Sequence, residues 1–139
     1  MDEVVPGLYV GTTADATDEH LLREQGVTAI VSLTHEALDA ASDHTVVDVP
    51  LTDGPQHDRE AFDQAVTETL VRLDAAEPVL VHCAAGSSRS PSVAATALAL
   101  HAGLALDAAF TQVADRRDAV DPHEALVRQA ARVYVGRRG

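Results

Sequence analysis

Apolar positions along the chain fall into short runs first and helical spacings later. Leu8-Tyr9-Val10, following Pro6-Gly7, predicts a short strand. Asp18 to Glu24 carries a helix start with Leu21 and Leu22 on one side, stopped near Gly26. Thr28 to Leu33 and Thr45 to Val49 are β-rich runs that predict two more strands, the second ended by Pro50. Thr52 to Arg59 is rich in Asp, Gly and Pro and reads as a loop. Phe62, Val66, Thr69, Leu70 and Leu73 recur at helical spacing, so 60–75 is an amphipathic helix. Pro78 to His82 is continuously apolar up to its last residue, as a strand inside a parallel sheet is. Ser90 to His101 is apolar almost all round, with Pro91 suited to a first turn, and predicts a buried helix. Two further helices cover about 107–117 and 123–137, parted by Asp121-Pro122. The class is α/β, a central and mostly parallel sheet flanked by helices. No repeat, low-complexity block or linker divides the 139 residues, which read as one domain, 1–139.

Charge changes what this domain can bind. It has 22 Asp+Glu against 10 Lys+Arg, a net charge of -12, and all ten positive residues are Arg. Residues 1–80 hold 17 acids and 3 arginines, whereas 81–139 hold 5 acids and 7 arginines. A nucleic-acid partner is disfavoured, because phosphate backbones are bound by basic surfaces. No run of apolar residues is long enough to span a membrane, and the acidic MDEVVPG start is unlike a signal peptide. A single cysteine makes neither an internal disulfide nor a cysteine-based zinc cluster. The expectation is a monomeric, cytoplasmic protein without metal or other cofactor. Absence of Lys, 14 Asp among the acids, abundant Ala and 3% aromatic residues resemble proteins of salt-loving organisms.

The chemistry concentrates where the buried strand meets the buried helix, in Val79-Leu80-Val81-His82-Cys83-Ala84-Ala85-Gly86-Ser87-Ser88-Arg89-Ser90. A short loop wrapped ahead of a helix N-terminus can turn the N–H groups of Ala84, Ala85, Gly86, Ser87, Ser88 and Arg89 inward as an anion-binding nest. Gly86 frees the loop to take backbone angles closed to other residues. Arg89 can lay a planar guanidinium fork on two oxygens of a phosphate. Cys83 at the bottom would have its thiolate stabilised by nest and helix dipole, an activated nucleophile beneath a phosphoryl group. Most lone cysteines are instead small buried hydrophobes. Here His precedes the Cys, Gly follows at three and Arg at six. With 7 His, 8 Gly and 10 Arg in 139 residues, that coincidence arises by chance only about two times in ten thousand, which decides for the functional reading.

His82-Cys83…Arg89-Ser90 resembles the His-Cys-x5-Arg-Ser signature of the cysteine-dependent phosphatases, and VHCAAGSSRSPSVAATALAL is most similar to their dual-specificity protein phosphatase branch. VVPGLYVG, QGVTAIVSLT and the Asp-Arg-Arg…Asp-Pro-His segment extend the likeness over essentially the whole chain. The resemblance implies a bare catalytic domain that hydrolyses phosphotyrosine and phosphoserine or phosphothreonine through a cysteinyl-phosphate. Small phosphomonoesters, inositol, nucleotide, sugar or RNA 5′-phosphates among them, stay open as substrates. The resemblance also implies a general acid, an Asp on a loop about thirty residues before the Cys. Asp53, thirty residues before Cys83 and in a loop after a strand, fits best. Asp58 lies further round the same loop, and Asp48 sits within a strand pattern and reads as a surface residue.

The neighbouring residues carry lesser expectations. His82 orients the loop and helps hold the thiolate, with a satisfied core histidine as the plainer reading. Ser90 can donate a hydrogen bond to the cysteine sulfur, cap the following helix, or both. Ser87 and Ser88 read as loop formers. Arg116 and Arg117 read as an exposed, salt-bridged helix end rather than a substrate site. The strand–Cys–loop–helix layout also serves sulfurtransferases and arsenate reductases, but those lack the Arg-Ser at this offset or need further cysteines. A binding module without turnover would be expected to have lost Cys83 or Arg89.

Overall fold

The computed structural model describes residues 1–36, 44–52 and 59–138. Five strands, β1 (Asp2–Val5), β2 (Leu8–Gly11), β3 (Ala29–Ser32), β4 (Thr45–Asp48) and β5 (Val79–His82), form one sheet in the order β1-β2-β5-β3-β4. All pairs are parallel except β1 with β2, which are antiparallel at the edge. The apolar run at 79–82 therefore lies at the centre, hydrogen-bonded on both sides, which is why it shows no alternation.

Side-chain alternation along the strands separates two cores. Leu8, Val10, Ala29, Val31, Val79 and Val81 point to one face, and Tyr9, Ile30 and Leu80 to the other. The second face is covered by the short helices α1 (Thr13–Ala16) and α2 (Glu19–Gln25) through Ala16 and Leu22. The first carries the larger core, built with α3 (Arg59–Asp74), α4 (Arg89–Ala102), α5 (Leu106–Arg116) and α6 (Glu124–Arg138). Every residue of α4 from Ser90 to Ala99 is buried, because α3, α5 and α6 all pack around it. Its small Ala, Ser and Thr residues permit that close approach, and Ser92 and Thr96 satisfy their hydroxyls on the Ser88 and Ser92 carbonyls at 2.7 and 2.8 Å. Among the described residues no helix is long and apolar enough to cross a membrane.

Two elements were not expected. β1 lies in the acidic start, where the apolar pattern predicts no strand, and it pairs with β2 at the edge of the sheet. α1 is a single turn with no apolar period. A capping box makes it, Thr12 accepting from the Asp15 N–H at 3.2 Å while Asp15 accepts from the Thr12 N–H at 3.0 Å.

Candidate active site

The three inner parallel strands end level with one another, since Gly11, His82 and Ser32 share one register row. That carboxyl edge is where open α/β sheets place their ligands. Here β5 passes directly into the loop 83–88 and then into α4, whose buried dipole points back at the loop. The Cys83 N–H donates to the Gly11 carbonyl at 3.3 Å, anchoring the start of the loop to β2.

Cys83 is almost wholly buried, and its sulfur faces the first turn of α4. The Ser90 hydroxyl stands 3.1 Å from Sγ, and the Ser90 N–H donates to the same sulfur at 3.4 Å. Ser90 is thus not the helix cap. Ser88 occupies the cap position but its side chain caps nothing in α4; it accepts instead from the His123 N–H at 2.8 Å. The reason is geometric: the cap hydroxyl is turned toward the 121–123 segment, and the helix N-terminus stays open toward the loop interior. The backbone N–H groups of Ala84, Ala85, Gly86 and Ser87 meet no acceptor among the described residues. Unmet N–H groups on a short loop ahead of a helix are what a nest requires.

Gly86 sits at φ +67°, and a Cβ there would lie 2.9 Å from the Gly11 carbonyl oxygen. Both the backbone angle and the space exclude a side chain. Arg89, half-buried in the first turn of α4, donates through Nη1 to the Leu51 carbonyl at 3.1 Å and reaches the Leu33 carbonyl at 3.5 Å. Its guanidinium is held over the ends of the β3 and β4 segments by main-chain oxygens, free of any carboxylate partner among the described residues. Beside the loop runs a groove of about 470 Å³ between Ser87-Ser88 and residues 121–124.

His82 is fully buried at the end of β5, and its Nε2 shares a hydrogen bond of 2.8 Å with the Ser32 hydroxyl. Burial pushes its imidazole below the usual histidine range, opposed in part by the Cys83 backbone and the Asp48 carboxylate. The unfolded chain therefore binds the proton more readily than the folded one. His82 contributes stability that is present above about pH 6.5, the ordinary histidine value, and lost as pH falls below it. Thermal unfolding between pH 5 and 8 should show the native protein losing stability on acidification more steeply than His82→Asn; parallel curves would contradict this assignment.

The structure brings together Cys83, Arg89, Ser90, His82 and the loop 84–88. Asp53 and Asp58 lie outside the described residues. Asp48 is exposed, as its strand pattern implied. Arg117 departs from expectation. Only 12% of its side chain is exposed, and it folds back onto the loop rather than ending a solvated helix. Ser32 was passed over as part of an apolar run. Its signal was there, a lone hydroxyl at the end of a strand otherwise Val, Ile and Ala.

Comparison with known proteins places this geometry. The family described as "Dual specificity phosphatase, catalytic domain" matches residues 8–134, and the chain belongs to that family. It is 30% identical over 132 residues to the dual specificity protein phosphatase Mpk3 of Drosophila melanogaster, covering 91% of this chain and 32% of that protein. Dual specificity protein phosphatase 26 of Bos taurus is 30% identical over 136 residues, covering 92% of this chain and 64% of the relative. The chain thus spans about a third and under two thirds of these relatives' lengths. Among solved structures, human DUSP28 superimposes with a TM-score of 0.88 at 26% identity, covering 99% of this chain and 98% of that one.

Proposed function

We propose that this domain hydrolyses phosphomonoesters through a cysteinyl-phosphate, with phosphotyrosine and phosphoserine or phosphothreonine in proteins as its substrates. The observation that carries the reading is the sulfur of Cys83 held by the Ser90 hydroxyl and N–H at the N-terminus of α4, beside a loop whose Ala84 to Ser87 N–H groups meet no acceptor among the described residues. Cys83 thiolate attacks phosphorus in line. The P–S bond forms as the P–O bond to the leaving group breaks, and the bonding pair leaves on that oxygen. Arg89 and the N–H groups of Ala84 to Arg89 take up the charge on the equatorial oxygens as it builds. Asp53, or Asp58 in its place, protonates the leaving oxygen and then takes a proton from water. That water attacks the cysteinyl-phosphate, the P–S bond breaks, and Ser90 donates to the departing thiolate. Phosphate is released and the enzyme is restored.

His82 serves as a positioning group in this scheme. Its neutral imidazole, tied to Ser32, fixes the strand end from which the loop springs. The same reading makes residues 1–139 one catalytic domain that works as a monomer in the cytoplasm. One sheet with a core running from Val4 to Val133 supports the first part, and a single unpaired cysteine suits a reducing compartment.

The test is hydrolysis of a chromogenic aryl phosphate in the presence of a chelator, with pH profiles of Asp53→Asn and Asp58→Asn. Asp53→Asn should lower kcat by about 10²- to 10³-fold and remove the basic limb of the profile. Loss of that limb in Asp58→Asn alone would transfer the role to Asp58. No hydrolysis by the native protein would end the proposal.

A further inference from the structure

A loop that turns its N–H groups inward must turn carbonyls outward, and something must hold them there. The Ser88 carbonyl finds local donors, the Ser92 N–H and hydroxyl at 3.1 and 2.7 Å, and the Ser87 carbonyl accepts from the Asp121 N–H, beyond the end of α5, at 2.8 Å. Ala85 and Gly86 have none within the loop. Their carbonyls are met by one side chain from the far end of α5. Arg117 donates through Nε to the Gly86 carbonyl at 2.8 Å and through Nη2 to the Ala85 carbonyl at 3.3 Å. Its remaining nitrogen, Nη1, binds the Asp2 carboxylate at 2.8 Å and reaches the Val10 carbonyl at 3.5 Å. One guanidinium therefore spans the loop, the strand that anchors the loop, and the edge strand β1.

We propose that Arg117 is a positioning residue of the phosphate loop. It pins the Ala85 and Gly86 peptides in the orientation that presents their neighbours' N–H groups to a phosphoryl oxygen, and Asp2 sets its own orientation. The proposal rests on the cysteine-phosphatase reading and concerns a residue that never touches substrate.

Three features single out Arg117 for this work. Its fork carries donors on separate nitrogens at fixed angles, so two successive carbonyls are gripped in one plane, a geometry a lysine ammonium does not supply. It is already charge-paired with Asp2, so it is not free to leave for a solvent anion. Gly86 could not carry a side chain without displacing it, since a Cβ there would lie 2.9 Å from the guanidinium carbon. The helix that delivers it is fixed in turn. Gln112 Nε2 donates to the Val4 carbonyl at 2.8 Å and Arg116 Nε to the Glu3 carbonyl at 3.1 Å, stapling α5 to β1. Neither of these touches the loop, which makes Gln112 a control for loosening of α5 alone.

Because Cys83 is the only cysteine, its alkylation by iodoacetate, slowed by inorganic phosphate, reports anion binding in the loop without turnover. We expect Arg117→Gln to weaken phosphate protection at least ten-fold and to lower kcat/KM for an aryl phosphate by a similar factor, well below its melting temperature. Arg117→Lys keeps the charge facing Asp2 and should recover melting temperature but not phosphate protection. Gln112→Ala should lower the melting temperature and leave protection unchanged. Native protection in Arg117→Gln, or equal loss in Gln112→Ala, would overturn the proposal. If the native protein binds phosphate but hydrolyses nothing, the phosphatase reading fails while the loss of protection in Arg117→Gln still supports the role of Arg117.

Discussion

Cys83→Ser loses hydrolysis of aryl phosphates by on the order of 10⁴- to 10⁶-fold in kcat, while folding and phosphate binding persist. The hydroxyl differs little from the thiol in size, so the packing against Ser90 survives and the melting temperature should move by only a few degrees. What disappears is the ionisable nucleophile: a serine hydroxyl at the end of β5 is far less acidic than a thiol, and among the described residues the hydrogen-bond partner at the position of Sγ is Ser90, which is no base. His82 cannot substitute. Its Nε2 is engaged with Ser32, away from the position of Sγ, and burial weakens its hold on a proton. A steady-state assay beside a phosphate titration separates the two properties. Retention of activity within ten-fold would remove Cys83 from the chemistry.

The second large effect belongs to Arg89. Arg89→Lys keeps a positive charge in the first turn of α4 but loses the planar pair of donors, and kcat should fall by about 10³-fold. The guanidinium is already oriented by the Leu51 and Leu33 carbonyls, so little reorganisation is needed when the equatorial oxygens gain charge. Lysine could reach one of those carbonyls or the phosphate, but not grip two oxygens in one plane. The signature is a loss in kcat exceeding any change in KM. A rise in KM with kcat intact would mean that Arg89 only gathers the substrate.

Much of this was legible in the chain. The uninterrupted apolar run Val79 to Val81 announced a strand paired on both sides, and SPSVAATALALH announced a helix with no solvent face. Between them, the spacing of Cys83, Gly86 and Arg89 marked the candidate site, and the fold brings these residues together at the end of β5 and the start of α4. Edge contacts were not legible. β1 is paired with β2 across a two-residue turn and is held from the other side by Gln112, Arg116 and Arg117, each more than a hundred residues away in sequence. Arg117 was misread for the same reason. Helix-end arginines are mostly solvated, and only the fold brings Asp2 and the Gly86 carbonyl to this one. Ser90 could be cap, sulfur partner or both from the sequence; the cap position falls to Ser88, and the Ser90 hydroxyl stands 3.1 Å from the sulfur.

The acidic charge bears on how substrate reaches the site. A net charge of -12 repels phosphorylated ligands at a distance, yet 17 of the 22 acids lie in residues 1–80, whereas the loop, Arg89 and α4 to α6 belong to the arginine-richer remainder. At about 1 M salt the screening length shrinks to roughly 3 Å, and only the N–H groups and Arg89 at contact still matter. A strongly acidic surface and an anion-binding site are compatible on those terms.

The most direct test is to trap the intermediate. With a good aryl leaving group, breakdown of the cysteinyl-phosphate becomes the slow step, so the intermediate accumulates after a burst of released phenol. Acid quenching within the burst, followed by mass spectrometry of the loop peptide, should find phosphate on Cys83 in the native protein and none on the Cys83→Ser peptide. Phosphate on a serine, histidine or aspartate, or steady turnover with no labelled residue, would contradict the account.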